Sequence, residues 1–518
     1  MISYSAIWAE KKRPVQIRQT YSIFIEKRVI FTPIKFDLIY IHCLPQSNTL
    51  LAGNHLDRKS STKMSSGLIY RVIWFVLLIG FSLFLLQFAP LFSPQLQASI
   101  ESTIDDFRQL LPFISLGEDK HFYVDSVLGS DTNSGTSETS PWRSLAKVNS
   151  TTFEPGSVIH FRRGRTWTGG LHISDSGTQA EPIIFTTYGS GGRPVIQNPA
   201  ANEENHTSAI EIGGDYIIIE GFRLENTSFA GVNIYDGAEF NTVRDIEATQ
   251  VGIGVAIYGQ NNLVTGSYLH DMKMIRNTPG GDDDYGALGI LIQNDFNEVS
   301  YNYIVRCIAP SYDYGVDGGA VELFEKANGS KIHHNFASDN AGFLEAGAGT
   351  FRNVVVSYNV SVDNQRFVLI HLQGPFEGVI ENMRIENNTM VENATNEQGW
   401  KVIDFNGIPT NNTLILRNNI ISANNFQVIA NAETFTHENN LYDLRNGTTV
   451  GYPAHPSEII DHPGFVNPSD HDYHLESTSP AIDQGLDLGY TEDFDGNPVP
   501  SGARPDLGAY EYVAPPSR

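Results

Sequence analysis

The 518-residue sequence has two cysteines, Cys43 and Cys307, far apart and in no motif. That excludes a disulfide framework and a cysteine-ligated zinc site. It is also short of positive charge: 34 Lys and Arg stand against 59 Asp and Glu, a formal net of −25. The imbalance is uneven, because residues 1–63 carry ten Lys/Arg against four Asp/Glu, which leaves −31 for the remainder. So acidic a body repels nucleic acid and anionic membrane surfaces, and attracts a polyuronate poorly unless cations intervene. Neutral partners fit best, and no nucleic-acid partner is expected. Helical periodicity is scarce from Phe122 onward.

One segment is apolar throughout. "VIWFVLLIGFSLFLLQFAPLF", Val72 to Phe92, has no charge and is long enough to cross a bilayer of about 30 Å. With Arg71 and the basic run before it, it predicts a transmembrane signal anchor over 68–92, a cytoplasmic N-terminus and an exported remainder. The run exceeds an ordinary signal-peptide core and no clean small-x-small site follows it; cleavage would make the rest secreted. Residues 1–63 form an extension without periodicity ahead of Met64, and residues 93–120 read as an amphipathic stalk.

Beyond the stalk, short runs of Val, Ile, Leu and Phe recur between Asn, Gly, Asp and Ser. Val243, Val264, Val299, Ile332, Val356, Ile385 and Leu416 mark equivalent points 21 to 35 residues apart. A period in that range with strand-only content predicts a β-solenoid. Asn tolerates the left-handed backbone of a coil corner and can hydrogen-bond from rung to rung. The N-x-S/T sequences at Asn226, Asn328, Asn359 and Asn387 are therefore read as corner residues.

At this point the chain resembles the right-handed parallel β-helix proteins of the pectate-lyase-like superfamily, which are mostly secreted and polysaccharide-active. "FYVDSVLGSDTNSGTSETSPWRSLAKVN" resembles their opening segment, and "GSVIHFRRGRTWTGGLHISDSGTQAEPIIFTTYGSGGRPVI" their first coils. "HPGFVNPSDHDYHLESTSPAIDQG" and "DFDGNPVPSGARPDLGAYEY" resemble a tail found on many exported members. The resemblance covers residues 121 to 514 and implies an all-β right-handed parallel β-helix, with coils over 121–450 and terminal coils and tail over 451–518. It says little about chemistry, because this architecture hosts hydrolases, lyases, epimerases and adhesins. The paired-Asp and Gly-His-Gly signatures of polygalacturonases and the motifs of pectate lyases are absent, which argues against pectin as the substrate.

Strand alternation turns position into geometry. In "AVELF" Val321 and Leu323 point inward, so Glu322 points out; in "FLEAG" the same logic sends Glu345 out. "LIHLQ" sends His371 out and "VIDFN" sends Asp404 out. With Asn233, Ala256 and Leu291 on earlier coils, one exposed column is expected to read Asn, Ala, Leu, Glu, Glu, His, Asp. Rungs lie about 4.8 Å apart, which puts Glu322 and Glu345 near the spacing of a retaining glycosidase's nucleophile and acid/base. Two-rung separations approach the spacing of an inverting pair. Glu322, Glu345, His371 and Asp404 are thus the candidate catalytic group, the last two positioning substrate or tuning the pair.

Two insertions reach the same face, "PGGDDDYGALG" and "APSYDYGVDGG". They supply Asp282, Asp283, Asp284 and Tyr285, and Tyr312, Asp313, Tyr314 and Asp317, as candidate sugar-binding residues, because rings suit the apolar faces of sugars and carboxylates their hydroxyls. The Asp282–Asp284 run alone also suits a solvated loop or a calcium site; otherwise no metal or cofactor is required. His333 and His334, beside a corner, read as structural, and "DFDGNPVP" as a turn. Stacked acids bridged by a cation, or a binding surface without chemistry, compete with catalysis. The functional expectation is a membrane-anchored glycosidase acting on an extracellular polysaccharide or glycan. The alternatives are a calcium-assisted polysaccharide lyase or epimerase, and a non-catalytic carbohydrate-binding protein.

Overall fold

The computed structural model describes residues 120–200, 206–281, 283–393, 401–424, 427–430 and 434–514. The expected extension, membrane anchor and stalk up to residue 119, together with Asp282, lie outside the described residues. Among the described residues no helix is long and apolar enough to cross a membrane.

The coils form three long sheets, a first of twelve strands from His121–Val124 to Thr436–Glu438, a middle one of ten from Leu171–Ile173 to Ile403–Asn406, and a third of twelve from Thr166–Thr168 to Ile459–Ile460, and their pairing is parallel throughout. Most coils give one strand to each sheet in turn, so residues more than twenty apart in sequence become lateral neighbours. The recurring apolar anchors are register partners on the first sheet: Val243 faces Val264, then Val299, Ile332, Val356, Ile385 and Leu416. All seven are fully buried. Alternation makes each short strand half core and half surface, and stacking gives every inward residue a like neighbour above and below. The parallel pairing carries past residue 450 to Ile459–Ile460.

Asparagine holds the corners in two ways. A fully buried ladder runs from Asn302 through Asn335, Asn359, Asn388 and Asn419 to Asn440, each side-chain N–H donating to the next carbonyl oxygen at 2.9–3.0 Å. Other asparagines adopt the left-handed conformation, among them Asn226 and Asn387 at φ 56° and 55°. Three of the N-x-S/T sequences thus serve the coil directly.

After Ile460 the chain turns back along the solenoid. A hairpin of Phe465–Asn467 and Asp472–Leu475 packs Phe465, Tyr473 and Leu475, with Leu507 and Tyr510, on Val360, Val391, Ile420 and Leu441 of the third sheet. The tail is more than a turn at "DFDGNPVP". Asp493 is fully buried there and accepts hydrogen bonds from the backbone N–H groups of Asp495, Asn497 and Glu511 at 2.7–3.0 Å.

The ladder has a measurable consequence. Replacing Asn388 by Leu takes away the oxygen that accepts from the buried backbone and side-chain N–H groups of Asn359, at about 1–3 kcal/mol for each unpaired donor. Thermal unfolding followed by circular dichroism should show a clear fall in Tm.

Candidate active site on the middle sheet

The strands of the ten-stranded sheet set the outward columns. In register, His172 faces Glu211, then Asn233, Ala256, Leu291, Glu322, Glu345, Leu369 and Asp404. Glu322 and Glu345 are direct neighbours, each between buried residues: Val321 and Leu323, Leu344 and Ala346. The expected place of His371 is corrected. In "VLIH" the pairing sets Ile370 opposite Ala346, so Leu369 fills the column. His371 lies two residues on, opposite Asn406.

His371 nevertheless reaches the pair. Its ring lies over Gly347, where an added Cβ would come within 2.9 Å of the imidazole and 3.0 Å of the Phe376 carbonyl oxygen. With that space free, Nε2 sits 2.8 Å from Glu345 Oε1. Asn406 Nδ2 is 3.4 Å from Nδ1, which fits Nε2–H donating to the carboxylate. The His371 side chain is 11% exposed and that of Glu345 40%, so one acid is both steered and open to a ligand.

Glu322 has a different environment. Burial, then the negative charges of Glu345 and Asp317, push its carboxyl well above the ordinary carboxylate range. Burial likewise raises Asp317 to about 6, helped by Glu345 and Asp284 and opposed by the Gly318 N–H and Arg366. Tyr285 joins them: burial, then the charge of Glu322, raises its phenol. Burial also raises Asp404, against the pull of Arg366 and Lys401. Crowded acids withdrawn from water cannot all ionise.

The insertions fold as walls. Met274–Arg276 pairs antiparallel with Tyr285–Gly286, and Ala309–Ser311 with Gly315–Asp317. The structure brings Tyr285 and Asp317 to the pair. Asp283, Asp284 and Asp313 instead form their own group, with one ligand atom from each within 4.8 Å of the others. Ser311 Oγ and Asp313 N donate to Asp284 Oδ2 at 2.7 and 3.0 Å, and Asp283 N to Asp313 Oδ2 at 2.8 Å. Asp283 Oδ1 has no hydrogen-bond partner. The donor set is all hard oxygen and suits calcium or magnesium. Tyr312 and Tyr314 lie at the hairpin tip, 65% and 45% exposed.

Sequence reasoning gave Arg366 and Asn406 no place in this group. Arg366 lies two residues before the strand Val368–His371, with its side chain beside Gly342. Its cation opposes both Asp317 and Asp404. A lone arginine among four acids, entering the strand next to Glu345, was the available signal.

No family model matches the chain. A lacto-N-biosidase of Bifidobacterium longum subsp. longum is 28% identical over 189 residues, 29% of this chain and 12% of that enzyme. The uncharacterised protein YwoF of Bacillus subtilis is 28% identical over 158 residues, 30% of each chain. The chain thus spans less than a third of either curated relative. Among solved structures, pectate lyase Pel9A superposes with a TM-score of 0.53 at 17% identity, covering 76% of this chain and 96% of that one. The molecule has the right-handed parallel β-helix of the pectate-lyase-like fold.

The raised acids predict a pH dependence of stability. A carboxyl whose folded pKa exceeds its unfolded one favours the fold fully below the unfolded value, and that contribution is lost as pH rises through the folded one. For Asp317 the window runs from its ordinary 3.8 to about 6. Asp317→Asn and Glu322→Gln should therefore flatten the fall in Tm between pH 4 and pH 8 and match or exceed wild type at pH 8, measured by scanning calorimetry.

Proposed function

We propose that the protein is a glycoside hydrolase acting on a neutral polysaccharide or glycan, with Glu322 as acid/base and Glu345 as nucleophile. The observation that carries this reading is the register pairing of the two acids in contrasting surroundings. One is crowded and held toward its protonated form; the other is open and bonded to His371. Neighbouring rungs about 4.8 Å apart suit double displacement with retention. Glu322 gives its proton to the glycosidic oxygen as that bond to the anomeric carbon breaks, while a Glu345 oxygen bonds to the same carbon. Glu322, now a carboxylate, then takes a proton from water, whose oxygen displaces Glu345 and frees the sugar.

The other groups take supporting roles. His371 orients the Glu345 carboxylate, and Asn406 holds the imidazole. Burial, then the charges of Glu345 and Asp317, keep Glu322 protonated to higher pH; Arg366 and Asp404 line the groove toward the later coils. Four acids against Arg366 and Lys401 repel a polyuronate, which supports a neutral sugar. The partial likeness to a lacto-N-biosidase supports carbohydrate chemistry in general. The apolar run from Val72 to Phe92 supports a membrane-anchored protein with its coils outside the cell.

The three-aspartate group favours a second reading, a calcium-assisted polysaccharide lyase. Asp283, Asp284 and Asp313 would hold the ion, whose charge would bring an acidic sugar to this acidic face.

Glu322→Gln and Glu345→Gln should each lower kcat by at least about 100-fold without a fall in Tm at neutral pH, assayed by reducing-end release from neutral polysaccharides. Full activity in either variant ends the assignment. Product absorbing in the ultraviolet and lost with EDTA would instead select the lyase.

A further inference from the structure

Most corners of the coil use a left-handed residue, and bulky side chains hold that conformation only under strain. Two corner columns nevertheless carry aromatic rings there. In one, Tyr301, His334 and Tyr358 follow one another at φ 55°, 54° and 51°. The C-terminal tail covers two of the three, leaving Tyr301 41% exposed: Phe494 stacks on His334 at 6.4 Å, Tyr490 meets Tyr358 edge-on at 5.2 Å, and His334 Nε2 lies 3.0 Å from the Asp493 carbonyl oxygen. Here aromatic corner residues serve as a surface on which another segment packs.

The second column lies where the middle sheet passes into the first. Tyr216, Phe240, Asn261 and Phe296 take φ 54°, 58°, 57° and 60°, each donating its N–H to the carbonyl of the residue or two before the next corner. The Tyr216 and Phe240 rings stack at 5.0 Å and 9°. Phe296 lies over Gly329, where an added Cβ would fall 2.7 Å from its ring. Among the described residues no tail lies here: Phe240 is 45% and Phe296 56% exposed. Beside the rings is a trough of about 270 Å³ whose lining includes Thr178, Gln179, Ile218 and Asn261.

We propose that this column is a second glycan-binding surface, separate from the groove over Glu322. The rings of Tyr216 and Phe240 would take the apolar faces of neutral sugars, and Thr178, Gln179 and Asn261 their hydroxyls. Charge argues for that class of ligand. No residue lining the trough is charged at neutral pH, in a chain of net −25, so ionic partners gain nothing there. Flat exposed rings rimmed by amides and hydroxyls suit a ligand with apolar faces and polar edges. The column bears the cost of strain and of exposed apolar area together, which a ligand would offset.

The test uses the full chain carrying Glu322→Gln, so that no sugar is consumed. Tyr216→Asn and Phe240→Asn are added, because Asn adopts the left-handed corner with less strain. Affinity electrophoresis through gels of neutral β-glucan, xylan and mannan, with isothermal titration of cellohexaose, xylohexaose and mannohexaose, reads binding; calorimetry reads Tm. Binding should weaken about tenfold while Tm holds or rises. Binding of no sugar, or binding unchanged in both variants, overturns the proposal. So does a fall in Tm with binding intact, since the rings would then serve only the coil. A wild-type dimer that the substitutions dissolve, seen by analytical ultracentrifugation, overturns it too by assigning the column to a second copy. None of these results depends on whether Glu322 and Glu345 are catalytic, which the turnover of the single Glu variants decides.

Discussion

Parallel register is the constraint on which this molecule depends. Each coil hydrogen-bonds to the next with its residues level, so a side chain's neighbours are fixed by its place in the repeat rather than by its neighbours in sequence. The buried row from Val243 to Leu416 and the asparagine ladder from Asn302 to Asn440 are two results of that rule. The pairing of Glu322 with Glu345 is a third. The interior columns lower the free energy of the fold, and the exterior acid pair draws on it, since two carboxyls at one rung spacing repel when both are ionised.

The acid pair is asymmetric because its surroundings are. Glu322 lies toward the insertions that bring Tyr285 and Asp317, and burial dominates its protonation. Glu345 lies toward later coils, where Gly347 leaves room for the His371 ring to reach it. A missing side chain and an inserted hairpin thus give two chemically identical residues different roles. Arg366 and Lys401 temper Asp404 farther along the face.

The corners carry a second layer of design. Where Asn or Gly occupies the left-handed position, the corner is merely a turn. Where Tyr, His or Phe occupies it, the corner also becomes a surface with stacked rings. The tail uses one such surface, and with it closes the outward apolar face of the third sheet.

The sequence by itself determined the solenoid, its anchor positions and the outward direction of Glu322 and Glu345, because alternation and a repeat of a few dozen residues are local properties of the chain. It could not place His371: in "VLIH" either Leu369 or His371 satisfies alternation, and only the pairing of Ile370 with Ala346 decides between them. Nor could it show that Tyr285 and Asp317 crowd Glu322 while Asp283, Asp284 and Asp313 gather apart, since insertions follow no repeat. The tail's seat on His334, 159 residues away in sequence, was likewise beyond it. Direction along a strand is written in neighbouring residues; depth, protonation and company are set by segments that only the folded chain brings together.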